Sequence, residues 1–106
     1  MSDGQVAIRI RRGALYLSRE VCDRYFAGVD AVVLLRRDTD LLVLPVRHAA
    51  AGGYLLKQRN GAGDRVVHAA DLLRDETDAG EDDRELPAFW DPAQAGLVVE
   101  SALSAN

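Results

Sequence analysis

Three side chains have the softness or the pKa to hold a metal or attack a substrate: Cys22, His48 and His68. No Cys-x-x-Cys or His-x-x-x-His spacing surrounds them, so a closed zinc site lacks recognisable ligands. The histidines read as ordinary surface or half-buried residues. Ser18 stands where a helix should begin, and capping accounts for it; no Gly-x-Ser-x-Gly surrounds it. Gly61-Ala62-Gly63 lacks both the further glycine of a dinucleotide loop and the Gly-Lys-Ser/Thr of a phosphate loop. Asp75, Glu76, Asp78, Glu81, Asp82, Asp83 and Glu85 crowd together without apolar anchors and read as a solvated run, not an acid/base pair. The expectation is a protein that is not an enzyme, with no metal, no cofactor and no small-molecule substrate.

The polar groups best placed to meet a partner lie in residues 52–73. Asn60-Gly61 between apolar-rich runs signals a β-hairpin, because both residues tolerate positive φ. The turn is either that pair or the four-residue loop 60–63. Both registers put Tyr54, Leu56, Gln58, Arg65, Val67 and Ala69 on one face, and Leu55, Lys57, Arg59, Asp64, Val66 and His68 on the other. In the wider register Arg59 faces Asp64, which is either a solvated cross-strand pair or part of a presented tip. The candidate partner-binding residues are Lys57, Arg59, Asn60 and Arg65 at that tip.

Other elements position this hairpin. Val6, Ile8 and Ile10 alternate with Ala7, Arg9 and Arg11, the period of a half-buried strand. Arg12-Gly13 turns the chain into Ala14-Leu15-Tyr16-Leu17, with Leu15 and Leu17 inward. Ser18 then caps a helix of about two turns over residues 19–27, whose apolar stripe is Val21, Cys22, Tyr25 and Phe26 and which Gly28 ends. Cys22 on that stripe reads as a small buried hydrophobe. Residues 31–35 form a buried strand, 36–40 a polar turn, and 41–46 a strand whose Pro45 belongs at an edge or bulge. Residues 48–53 are a small-residue connection, and 70–74 read as one helical turn.

The chain of 106 residues fits one domain, and at 48 % hydrophobic content it can build a core. Its net charge of −4 is uneven: residues 1–60 hold ten Lys/Arg against six Asp/Glu, residues 61–106 three against eleven. One cysteine excludes an internal disulfide framework; no leader or membrane-spanning run is evident, and the expected location is the cytoplasm.

Three segments are expected: a compact β-rich domain at 1–74, a flexible acidic linker at 75–85, and a tail at 86–106. The tail carries Phe89 and Trp90 between Pro87 and Pro92. These aromatics should dock on their own domain or on a partner, and residues 96–100 offer a last edge strand. The fold class is α+β: a small, mainly antiparallel curved sheet or partly open barrel with one or two short helices.

The order strand, Gly13-Ala14-Leu15-Tyr16-Leu17-Ser18, short helix, strand, polar turn, strand resembles the swapped-hairpin modules of the AbrB and MraZ type over residues 5–46. Residues 56–74 echo it as a degenerate second copy. The resemblance implies an intertwined oligomeric β-barrel and a basic DNA-binding surface, here Arg9, Arg11, Arg12, Arg36 and Arg37. Ser18 stands where those families usually have proline, and the acidic tail has no counterpart. Overall acidity argues against DNA. The leading expectation is therefore a non-catalytic binding or assembly module, self-associating or bound to another protein. A DNA-binding regulator is the alternative.

Overall fold

A computed structural model describes residues 5–46, 53–73 and 83–103. Nine strands and two short helices occur among them. In chain order they are β1 (Gln5–Arg11), β2 (Ala14–Leu17), α1 (Arg19–Tyr25), β3 (Ala31–Arg37), β4 (Asp40–Val46), β5 (Tyr54–Leu55), β6 (Lys57–Gln58), β7 (Arg65–His68), α2 (Ala70–Leu73), β8 (Asp83–Asp91) and β9 (Gly96–Val99). The strands make one sheet in the order β5-β3-β4-β9-β8-β1-β2-β7-β6, and every strand pairing among the described residues is antiparallel.

The sheet is a nearly closed barrel. Its edge strands, β5 and β6, are separated in the chain by Leu56 alone. Residues 54–58 thus run as one strand that pairs first with β3 and then with β7. At the switch the Leu56 amide donates to the Asp30 carbonyl at 2.9 Å. Tyr54 donates its hydroxyl to Asp71 at 2.9 Å, tying this seam to α2.

Inward side chains make one core: Ile8, Ile10, Leu15, Leu17, Val32, Leu41, Val43, Val67, Leu97 and Val99 are at most 2 % exposed. The alternation expected for β1 and β2 is present, with Ile8, Ile10, Leu15 and Leu17 inside. Arg12 and Gly13 both have positive φ, 51° and 79°, which closes the β1–β2 hairpin in two residues. Ser18 caps α1, accepting from the Val21 amide at 3.3 Å. The helix ends at Tyr25 with Phe26 as its C-cap, two residues short of the expected end, and Gly28 follows in the left-handed region. It lays Val21, Cys22 and Phe26 against the core. The two helices are too short to form a layer, so the α+β label fits loosely and a β-barrel with helical plugs describes the chain better. No helix among the described residues is long and apolar enough to cross a membrane.

The C-terminal third departs most from expectation. Asp83, Arg84 and Glu85, read as the end of an acidic linker, begin strand β8; residues 75–82 lie outside the described residues. Residues 86–103 are not an appended tail. The β8–β9 hairpin lies inside the sheet, with β8 against β1 and β9 against β4, so β9 is no edge strand. The physical reason is an alternation hidden by the acids: Arg84, Leu86, Ala88 and Trp90 turn inward, while Asp83, Glu85, Pro87 and Phe89 face out. Pro87 is tolerated here because a residue's N–H and C=O point to the same side of its strand. Its carbonyl accepts from the Glu100 amide, so its missing N–H faces the end of β9 and leaves the ladder to β1 intact. Pro45 likewise lies past Val43, the last β4 residue paired with β9.

Candidate interaction surface

The hairpin tip adopts the wider register. The Arg59 amide donates to the Asp64 carbonyl at 2.8 Å, and Gln58 pairs with Arg65. Asn60 is spent on the turn itself. Its Oδ1 accepts from the Ala62 and Asp64 amides at 3.0 and 3.3 Å, and its Nδ2 donates to Asp64 at 3.1 Å. Asp64 also accepts from the Arg19 amide at 2.8 Å, which fastens the tip to the start of α1. The Asn60 hydrogen bond, followed by that of Arg19, holds the Asp64 carboxyl below its ordinary pKa. Arg65 donates to the Val29 carbonyl at 3.3 Å, and Arg59 lies 4.9 Å over the Tyr16 ring. Lys57 and Arg59 are thus the exposed cations of the tip, while Asn60 and Arg65 serve its architecture.

The arginines considered for DNA contact are spread among acids. Arg9 donates to Asp83 at 2.8 Å, and that hydrogen bond raises the guanidinium's pKa. Arg36 donates to the Asp38 carbonyl at 3.3 Å, and Arg37 is 3.8 Å from Asp91. Arg11 and Arg12 sit exposed at the β1–β2 turn.

Phe89 and Trp90 point to opposite sides of β8, as neighbours in a strand must. Trp90 stacks on Tyr25 at 5.0 Å with 3° between the rings, and meets Phe26 edge-on at 6.4 Å. Cys22 lies on the buried side of α1, and burial pushes its thiol pKa up. Phe89 is 39 % exposed on the outer face.

That outer face is divided in two. On β1 it carries Ala7, Arg9 and Arg11, the mixed surface of a sheet that meets water. On β3, β4 and β9 it is apolar apart from Arg37 and Asp40, which face each other at the end of the β3–β4 hairpin. One register row crosses four strands as Leu35, Leu42, Val98 and Phe89. The next row holds Val33, Leu44 and Gly96, closing on Asp91. A Cβ on Gly96 would come within 2.5 Å of Leu44 Cδ2, so the leucine fills the space above the glycine. Leu35 stands 45 % exposed at one end of the first row and Phe89 at the other. Arg37 and Asp91 lie on this same face with β4 and β9 between their strands, so the arginine reaches across it.

Of the expected partner-binding residues, the structure puts Phe89 in this surface and the hairpin-tip residues on β6, β7 and their connection, elsewhere in the sheet. Leu35, Leu42 and Val98 are not singled out by the sequence reading, and Arg37 only as a DNA contact. A signal for them existed: β3, β4 and β9 read as continuous apolar runs, which is the pattern of strands covered on both faces.

No family model matches the chain, and no curated protein or solved structure is significantly similar to it.

Proposed function

We propose that this protein is a non-catalytic binding or assembly module that meets its partner through the outer face of β8-β9-β4-β3. The observation that carries this reading is the exposure of Leu35 and Phe89 at the two ends of the outer row Leu35, Leu42, Val98 and Phe89, whose centre is apolar and buried. The opposite side of the same strands already supplies the core through Leu41, Val43, Leu97 and Val99. A strand that needs only one covered face alternates, as β1 does; strands apolar on both sides ask for cover on both. Exposed aromatic and arginine side chains around an apolar centre are the composition of an interface core. The lone free cysteine, Cys22, suits a reducing compartment, and a cytoplasmic role belongs to the same proposal.

Leu35→Asp combined with Phe89→Asp tests it. Both side chains are substantially exposed, so the isolated fold should survive with nearly unchanged thermal unfolding. Association, with itself or with another protein, should be lost in sedimentation and in co-purification from native extract. Association that persists at wild-type strength in the doubly substituted protein removes this reading.

A further inference from the structure

We propose that Asn60-Gly61 is a self-modification site: the Asn60 side chain cyclises onto the Gly61 backbone nitrogen and hydrolyses, and the carboxylate so formed releases the hairpin tip from α1 and uncovers Cys22. This site is independent of the outer face of β8-β9-β4-β3.

The left-handed residue of the turn is Gly63, at φ 100°; Gly61 has no positive φ, and the place of its missing Cβ is open space. The turn therefore does not require glycine at 61. What the glycine does there is leave its backbone nitrogen uncrowded, beside an asparagine that is itself exposed to water. Among the described residues nothing accepts a hydrogen bond from the Gly61 amide, so no bond must break before it reacts.

The turn also supplies the other half of the chemistry. Attack on Asn60 Cγ develops negative charge on Oδ1. That oxygen already accepts from two fixed backbone donors, the Ala62 and Asp64 amides at 3.0 and 3.3 Å, which is the arrangement of an oxyanion hole. Hydroxide removes the Gly61 amide proton and the nitrogen bonds to Cγ, closing a five-membered succinimide. The Cγ–Nδ2 bond breaks and ammonia leaves with a proton from water. Water then opens the ring at either carbonyl, to an aspartate or to an isoaspartate whose main chain runs through the side-chain carbons. The net change is amide plus water to carboxylate plus ammonium, with no oxidant or reductant.

The product no longer suits the tip. Asn60 Nδ2 donates to Asp64 Oδ2 at 3.1 Å; after conversion a second carboxylate faces that oxygen, and like charges repel. Asp64 is the residue that accepts from the Arg19 amide at 2.8 Å, and Gly63 packs so closely on Arg19 that a Cβ would stand 3.0 Å from its Cγ. An isoaspartate also lengthens the loop that the Arg59–Asp64 backbone bond closes. Between α1 and the tip lies a cleft of about 310 Å³, lined by Cys22 and Phe26 on one side and by Gly61 and Gly63 on the other. Cys22 is 5 % exposed with the tip in place, and its thiol reports the tip's release.

The test keeps the full chain folded at mildly alkaline pH in water enriched in heavy oxygen, and reads position 60 by peptide mapping. Heavy oxygen should enter there, giving aspartate and isoaspartate, at a rate that rises with hydroxide and is no slower than in the same chain unfolded in urea. Gly61→Ala, which the open space accommodates, should lose the conversion. Labelling of Cys22 by a thiol reagent should be severalfold faster in the converted protein and in Asn60→Asp than in fresh wild type or Gly61→Ala, beyond any change in urea unfolding. Conversion in urea but not in the folded chain would mean that the turn's hydrogen bonds protect Asn60, and overturns the site. Conversion that leaves Cys22 labelling unchanged overturns the release of the tip.

Discussion

Arg37 and Asp91 form an ion pair at 3.8 Å although two strands, β4 and β9, separate the strands that carry them. At ordinary strand spacing β3 and β8 are about 14 Å apart. Leu42 and Val98, on the outer side of the two strands between them, are only 4 % exposed. The ion pair itself, half in water, should contribute at most about 1 kcal/mol.

Trp90→Ala should destabilise the protein by about 3–5 kcal/mol, because it deletes a large side chain packed between Tyr25, Phe26 and the barrel. Urea unfolding measures it. Trp90→Phe should recover a substantial part, since a ring can still stack on Tyr25. A loss below 1 kcal/mol for the alanine variant would mean that the stack closes no part of the core.

Gly13→Ala should cost more than a surface substitution normally does. The φ of +79° already disfavours a side chain by about 1–2 kcal/mol. The added Cβ would also sit 3.0 Å from the Ala70 Cα, which is backbone and cannot swing away. Ala69 donates its amide to the Gly13 carbonyl at 2.9 Å, so the turn and the start of α2 are held together. Thermal unfolding of Gly13→Ala at wild-type temperature would contradict this.

Asp64 should shape the acid limb of the stability curve. Its folded pKa lies below the unfolded one, so it contributes stability above the unfolded value, and that contribution is lost as pH falls through the folded pKa. Asp64→Asn removes the titrating group. The stability advantage of wild type over this variant should therefore be present near neutral pH and shrink below about pH 4. Parallel unfolding series from pH 7 to pH 2 give the comparison; a difference independent of pH would sink the assignment.

Much of the N-terminal half was legible in the sequence. The two-residue alternation of β1 and the Ser18 cap are local devices, set by residues within a few positions of one another, and local spacing reveals them; at Asn60 it reveals a turn but not which of two registers the turn takes. The placement of β8 was not legible because its inward residues are separated by Asp83, Glu85 and Pro87, whose composition speaks for solvent and turns. Its partners, β1 and β9, supply the ladder that outweighs those preferences. The candidate surface was half legible. The apolar runs 31–35 and 41–44 announced strands with two apolar faces, but a run cannot say which face is core. Phe89 drew attention as an aromatic beside Trp90, yet only the pleat separates one to the core and one to water.

The position of β8 and β9 also governs the order in which the chain can assemble. As it is synthesised, β1–β2 and β3–β4 can each form early, from neighbours in sequence. The strand 54–58 can join them on one side, but the gap between β1 and β4 stays open until the last hairpin fills it, pairing Gln5 with Phe89 and Leu41 with Val99. Until then β1 and β4 keep bare edges, and the apolar residues of both have nowhere to go. Such long-range closure makes for slow folding and a long exposure to misassembly. A nascent chain stalled before residue 83 would present a sheet with two bare inner edges rather than a closed barrel, and a chaperone would have the whole of that interval in which to act.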